Sequence, residues 1–321
     1  MKIGIVGTGR IAKRFVPELK YVDGTEVTAV YNPRKESAER FTDALWDEDA
    51  PAATSDLDLL LDRTEAVYIA SPHETHFGYI RYALEHGKHV LCEKPMVLDR
   101  SRAEECFRLA GEKRLVLMEG LKTAWCPGYR KLIEIALSGI IGDVKCIESC
   151  FTKLEDSNKR ELTDRSYGGS FTELGSYVML PILDLFGSSY KSLRFSSIDN
   201  ELGLDIFTKA DLEYSGKIAS ADCGLGVKAE GRLMIAGTKG YISVLPPWWK
   251  TTDFEIHFED PGKTQCFRES FEGDGLRYEI SEFVRRIREN DFSIRCAEMD
   301  RSVIMAGLME QFLKNRTQRD A

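Results

Sequence analysis

Residues 2 to 19, KIGIVGTGRIAKRFVPEL, set the tightest constraint on what this chain can fold into. A short apolar run enters a turn carrying Gly7 and Gly9, after which Ile11, Phe15 and Leu19 recur every fourth residue, as on one helix face. The strand, turn, helix alternation then continues. TEVTAVY, AVYIA, HVLC and LVLME read as strands, and Arg34 to Leu45, His73 to Glu85 and Arg100 to Glu112 as helices between them. Strands rich in Val, Ile and Leu that alternate with helices indicate a parallel sheet covered on both faces. The fold class is therefore α/β, with residues 1–122 forming a doubly wound Rossmann domain.

From about residue 142 the period changes. In FTKADLEYS, Lys209, Asp211 and Glu213 fall on one face and Thr208, Ala210, Leu212 and Tyr214 on the other, which is strand alternation with one face wet or weakly covered. Further strands are expected at KIASADCGL, GRLMIAG, YISVL, FEIHFE and QCFRESF. Ile280, Phe283, Val284 and Ile287, and then Met305, Leu308, Met309 and Phe312, mark two amphipathic helices near the end. Residues 123–321 are expected to form an α+β domain with a large, mostly antiparallel open sheet, for substrate binding and oligomerisation, its C-terminal helices packing back between the domains. A chain of 321 residues is long enough for two cores.

With 52 acidic against 44 basic side chains, the net charge of -8 implies no broad basic surface for nucleic acid or anionic lipid. No apolar stretch reaches the roughly 18 residues of a membrane span, and Met1-Lys2 runs straight into a strand. The expected partner is a small molecule. Eight scattered cysteines without a Cys-x-x-Cys pair signal neither a metal site nor a disulfide framework, so reduced thiols in a cytoplasmic protein are expected. His86 and His89, flanking the HGKH turn, read as solvated rather than functional.

Gly7-Thr8-Gly9-Arg10-Ile11-Ala12 fits the G-x-G-x-x-A fingerprint. Gly7 allows the tight turn, Gly9 admits a pyrophosphate, Ala12 lets helix approach strand, and the N–H groups from Arg10 and Ile11 onward open a helix toward the phosphates. At the end of the second strand, where an acid would take the adenosine ribose hydroxyls, stands Asn32, followed by Arg34 and Lys35. Asn32 can still bond a ribose hydroxyl, and Arg34 can pair with a 2'-phosphate, so NADP is favoured over NAD. The alternative is a merely solvated helix start.

HVLC delivers Glu93, Lys94 and Pro95 to the carboxyl edge of the sheet, where open α/β sheets bind ligands. Pro95 cannot continue the sheet and constrains Lys94 to an extended backbone, which presents a lysine of fixed direction for proton transfer.

The stretches GIVGTGRIA, SPHETHFGYIRYALEHGKHVLCEKP and GGSFTELGSYVMLPILDLFG together resemble the glucose-fructose oxidoreductase / inositol dehydrogenase / MocA (Gfo/Idh/MocA) family. The branch it most resembles is that of the dihydrodiol dehydrogenases and NADP-dependent xylose dehydrogenases. The resemblance implies that Lys94 is the catalytic lysine, that Glu93 borders the nicotinamide, and that Ser71, Pro72 and His76 belong to a cofactor-lining loop, with His73 where Asn is commoner. Many members read Gly-Gly-x-x-x-Asp-x-Gly-x-His in the second domain, whose last residue is the acid/base. Here Tyr177 stands for that His and Glu173 for the Asp. A phenol near an ammonium can exchange a proton with an alcohol or carbonyl oxygen, and the two are four residues apart on a helix that Gly-Gly-Ser170 is expected to start.

The expected function is NAD(P)-dependent hydride transfer between nicotinamide C4 and a secondary alcohol or carbonyl of a sugar, polyol or cyclic diol. Lys94 and Tyr177 orient the oxygen and move its proton, Glu173 tunes them, and the substrate sits between the domains. A cofactor-binding sensor of the same fold is the competing reading. An exposed apolar face on the second sheet would make the protein a homodimer or homotetramer.

Overall fold

Six short strands near the N-terminus are apolar almost throughout, which only a sheet sandwiched between helices can bury. In the computed structural model, which describes residues 1–292 and 296–319, these are β1 (Lys2–Val6), β2 (Glu26–Tyr31), β3 (Ala52–Thr54), β4 (Ala66–Ile69), β5 (His89–Glu93) and β6 (Leu117–Gly120). They pair in parallel in the order β3-β2-β1-β4-β5-β6. The connecting helices are α1 (Arg10–Leu19), α2 (Lys35–Leu45), α3 (Leu57–Asp62), α4 (His73–Glu85) and α5 (Arg100–Lys113). Ile3, Ile5, Phe15, Leu60, Ile69 and Ile80 fill the space between sheet and helices. The strand order reverses between β1 and β4, and at such a switch point the carboxyl ends open a crevice. His89 is built into this sheet rather than solvated, since its Nδ1 accepts the Val116 N–H at 2.9 Å.

The second sheet has eight strands: β7 (Val144–Thr152), β8 (Ser192–Asp199), β9 (Asp205–Tyr214), β10 (Lys217–Gly224), β11 (Leu233–Gly237), β12 (Gly240–Val244), β13 (Asp253–Phe258) and β14 (Gln265–Arg268). Their order is β14-β13-β12-β11-β7-β10-β9-β8, antiparallel except where β7 runs beside β10. The helices of this part are α6 (Pro127–Leu137), α7 (Arg160–Thr163) and α8 (Ser170–Phe186). The β9 alternation holds: Thr208, Ala210, Leu212 and Tyr214 are buried, and α8 lies against the sheet, while Lys209 and Glu213 are exposed and Asp211 half-exposed. The outer face is mixed rather than apolar. Exposed Ile198, Ile218 and Tyr241 sit among ion pairs such as Arg194–Asp211 and Arg268–Asp253, because cross-strand partners there are charged.

Met1–Lys122 and Glu272–Ala306 form one compact unit, and Thr123–Phe271 with Gly307–Ala321 the other. This departs from the expectation that all of 123–321 belongs to the second domain. Instead α9 (Leu276–Arg288) lies beside α1, with Ile280, Phe283 and Val284 buried. Arg277 grips the Glu18 carboxylate through Nε at 3.1 Å and Nη2 at 2.9 Å, and its backbone N–H adds a third bond at 3.1 Å. The last helix, α10, spans Cys296–Arg319.

The start of α8 is fixed from across the chain. Ser170 does not cap it; the N-cap position is Gly169, with φ +115°, where a Cβ would come within 1.9 Å of Asp205 Oδ1. Asp205 Oδ2 instead accepts from the Phe171 N–H at 2.8 Å and the Thr208 hydroxyl at 2.7 Å. Burial pushes this carboxyl up to about 6, against the opposing effect of those two donors. Its proton affinity is higher folded than unfolded, so Asp205 favours the fold most below pH ~4 and loses that contribution as pH rises through about 6. The expected outcome is that the difference in unfolding free energy between Asp205→Asn and the parent protein, measured by denaturant titration, moves in the variant's favour across this range, by on the order of 3 kcal/mol. A difference that is flat with pH would show that Asp205 does not titrate there.

Candidate active site

At the switch point the turn after β1 is forced open by backbone geometry. Gly7 has φ +102° and donates its N–H to Tyr31 O at 2.9 Å, and a Cβ on it would lie 2.5 Å from the carbonyl oxygen of Ala70. Gly9 differs. Its φ of -77° suits any residue, and a Cβ there would meet no protein atom closer than 3.9 Å. Nothing in the protein requires glycine at this exposed position, which is the condition of a backbone kept bare for a ligand's close approach. The first turn of α1 has no acidic residue and no side-chain cap, so the N–H groups around Arg10 and Ile11 keep their positive dipole end available. Ala12 is fully buried. The residues present therefore fit a dinucleotide pyrophosphate.

Asn32 stands at the end of β2, where its Nδ2 donates to Thr8 Oγ1 at 2.9 Å and its Oδ1 accepts the Arg34 N–H at 3.0 Å. The amide thus ties the second strand's end to the glycine turn. Arg34 is exposed at the N-cap of α2, and Lys35 pairs with Glu39 at 3.4 Å.

The loop after β4 belongs to the same edge. Ser71 Oγ shares a hydrogen bond with Thr75 Oγ1 at 2.7 Å, and Pro72 takes the N-cap position of α4. His76 is fully buried, with Nε2 2.9 Å from Ser71 O and Nδ1 3.0 Å from Pro95 O. Burial lowers its proton affinity despite these carbonyls, and Lys94 adds repulsion. His76 thus supports the loops rather than exposing a ring nitrogen; as a neutral ring it donates to one carbonyl at a time.

Glu93 ends β5 and is buried, with Oε1 accepting the Tyr68 hydroxyl at 2.6 Å. Burial raises its proton affinity, opposed by Lys94, Tyr68 and Lys122. Lys94 is half-buried, and the bond from it to Pro95 is cis. The turn is held from β6, where Glu119 Oε1 accepts the Met96 N–H at 2.9 Å.

In the second unit, α8 is buried from Ser170 to Leu183 at every position except Glu173 and Tyr177, which are half-exposed. Their four-residue spacing puts both on one face. Tyr177 meets the edge of Phe151 at 5.3 Å between ring centres, and Phe151 stacks on Trp249 at 3.6 Å.

Residues 1–121 match the oxidoreductase family with an NAD-binding Rossmann fold, and residues 129–243 match the GFO/IDH/MocA C-terminal domain. The chain belongs to the Gfo/Idh/MocA oxidoreductase family. It is 28% identical to the scyllo-inositol 2-dehydrogenase (NADP(+)) IolU of Bacillus subtilis (strain 168), over 98% of this chain and 96% of that one. It is 26% identical to the trans-1,2-dihydrobenzene-1,2-diol dehydrogenase of Bos taurus, again over 98% and 96%. Among solved structures it resembles KijD10, a 3-ketoreductase from Actinomadura kijaniata in complex with NADP and TDP-benzene, with TM-score 0.80, 25% identity and coverage of 97% and 96%.

In this Gfo/Idh/MocA chain, Gly7, Gly9, Arg10, Ile11, Asn32, Arg34, Ser71, Pro72, Glu93 and Lys94 gather at the carboxyl edge of the first sheet. Ala12 and His76 support that edge from beneath, and Tyr177 and Glu173 stand on α8 of the second unit. Sequence reasoning missed Glu279 on α9, which is buried near Glu93, and the Phe151–Trp249 stack. Glu279 sits within an amphipathic helix pattern, and no local signal marks its partners.

The contrast between the two glycines yields a prediction. Gly9→Ala is expected to keep the parent's thermal midpoint within about 1 °C, since the methyl meets only van der Waals space. It should nevertheless weaken dinucleotide binding at least tenfold by fluorescence titration, and unaltered binding would remove the bare-backbone argument.

Proposed function

We propose that the protein is an NADP-preferring dehydrogenase or reductase that interconverts a secondary alcohol and a carbonyl on a sugar, polyol or cyclic diol. The observation that carries this reading is the meeting, along one parallel-sheet edge, of the bare Gly9 turn after β1 and the Glu93-Lys94-Pro95 turn after β5. When bound, the nicotinamide supplies the hydride acceptor or donor. The inositol and dihydrodiol substrates named for the relatives support the substrate class, and NADP in the KijD10 complex supports the cofactor class.

The chain's own residues divide the remaining work. The α1 N-terminus and Gly9 bind the pyrophosphate, Asn32 reaches a ribose hydroxyl, and Arg34 pairs with the 2'-phosphate without an acid nearby on β2's end to repel it. Lys94 and Tyr177 hold the reacting oxygen and its proton, and Glu173, one helical turn before Tyr177, tunes the phenol. Ser71 and Pro72 line the cofactor, with His76 bracing them.

The outer face of the second sheet is the proposed contact between subunits of a homodimer or homotetramer, supported by exposed Ile198, Ile218 and Tyr241 and not by the ion pairs around them. Unbridged, buried Cys92, Cys106, Cys150 and Cys223 suit a cytoplasmic setting.

Lys94→Ala should lower kcat by at least a hundredfold while NADPH affinity changes less than about threefold, measured by an NADP-coupled absorbance assay over aldoses, inositols and dihydrodiols. Full activity in the variant would take the lysine out of the mechanism. In the same assay Arg34→Ala should raise the KM for NADPH by at least tenfold and leave that for NADH nearly unchanged. Light scattering after size exclusion should give a dimer or tetramer; a monomer at micromolar concentration would refute the sheet contact.

A further inference from the structure

Behind Lys94 lies a buried charged cluster that the proposed reaction does not use. Glu279, on α9, is fully buried, and neither of its carboxyl oxygens has a hydrogen-bond partner. Near enough for their charges to act on it are Glu93 from β5 and Lys122 beyond β6, Glu279 acts in the same way on the Tyr68 hydroxyl from β4, and Cys92 precedes Glu93 on its strand. Lys94 acts on Glu93 from the adjacent turn. These groups are not equivalent. Tyr68 donates to Glu93 Oε1 at 2.6 Å, and its own ring is stacked on Phe15 of α1 at 3.7 Å. The Lys122 ammonium donates to Asp274 O at 2.5 Å, and Asp274 in turn holds Arg14 at 2.7 Å. The neighbouring acid Glu119 is occupied by the Met96 N–H at 2.9 Å and the Ser302 hydroxyl at 2.7 Å.

Two carboxyls thus share a dry site in which one has a donor and the other has none. An ionised carboxylate without donors in such a place is costly, so the second acid keeps its proton. Burial and the charge of Glu93 both act in that direction on Glu279, and only Lys122 opposes them. Glu93, with Tyr68 and Lys94 to favour its charge, is the ionised member, and the two titrate as one coupled unit.

In a doubly wound sheet the dinucleotide lies across the switch point, its two halves over the two halves of the sheet. With a pyrophosphate on the β1 turn and an adenosine half toward Asn32 at the end of β2, the nicotinamide half would fall on the side of β4, β5 and β6, where Glu93 ends its strand. The oxidised ring is a cation and the reduced ring is neutral. We propose that Glu93 and Glu279 together hold one removable proton behind Lys94, which binding of oxidised cofactor expels and binding of reduced cofactor leaves in place. The balance is simple: a carboxylic O–H bond breaks, the proton passes to solvent, and the positive charge brought by the ring replaces it. No electron moves. Because a nearby cation favours the ionised pair, NADP+ binding tightens as pH rises through the window of release, by up to tenfold per unit for one proton.

This inference rests on the cofactor reading above, and the experiment separates the two. Titration calorimetry of the full chain with NADP+ and with NADPH, in phosphate and in Tris over roughly pH 6 to 9, counts the protons exchanged. The 2'-phosphate is common to both cofactors, so the difference between them reports the ring. The expected result is a release with NADP+ that exceeds that with NADPH by a sizeable fraction of a proton. Glu279→Gln should abolish that difference and leave NADPH affinity within about twofold. Tyr68→Phe removes the donor to Glu93 and should move the release window to higher pH, which gives a second reading if the glutamine variant does not fold. Equal proton counts for the two cofactors, or an undiminished difference in folded Glu279→Gln, would overturn the proposal. Failure to bind either cofactor would overturn the cofactor reading and this inference with it.

Discussion

The approach of Gly7 to the carbonyl of Ala70 is the constraint on which the rest of the first sheet's working edge depends. A side chain at Gly7 would occupy the place of that backbone atom, so only a glycine in a left-handed conformation lets the ends of β1 and β4 stand side by side. That contact sets the direction of α1, the position of the Ser71–Pro72 loop and the seat of His76 beneath it. His76 then sits between the Ser71 and Pro95 carbonyls, donating to one at a time, so one buried ring is packed between the loop after β4 and the lysine turn.

Most of the first sheet was legible because its information is local. Val, Ile and Leu runs of four to six residues, broken by helical spacing, identify buried parallel strands wherever both faces are covered. β3 and α3 escaped that reading. Ala52–Thr54 is too short to show a period, and Leu57–Asp62 spans fewer than two turns and is stabilised by the Asp56 cap at its start. In the second sheet the alternation of β9 was plain, whereas β7, with serine and cysteines among its inward and outward positions, gave no clean pattern. The division of the chain was also hidden. The return of Glu272–Ala306 to the first unit rests on Arg277 finding Glu18, two residues separated by most of the sequence.

The site divides along the same line. The glycine turn, Asn32 and Lys94 are proposed from their fixed offsets from strand ends, and Tyr177 from the family resemblance of the stretch that forms α8. The buried acids could not be found in either way. Asp205 becomes the cap of α8 only when β9 delivers it to Gly169, and Glu279 becomes an unusual acid only when α9 turns it toward Glu93. Both look like ordinary surface charges in a linear string, since burial is a property of the assembled fold.

The two half-exposed residues of α8 have a further meaning. Every other position from Ser170 to Leu183 is packed, so adding or deleting one residue in this segment would rotate the rest of the helix by about 100° and bury the phenol while turning core groups outward. The helix therefore admits no change of length.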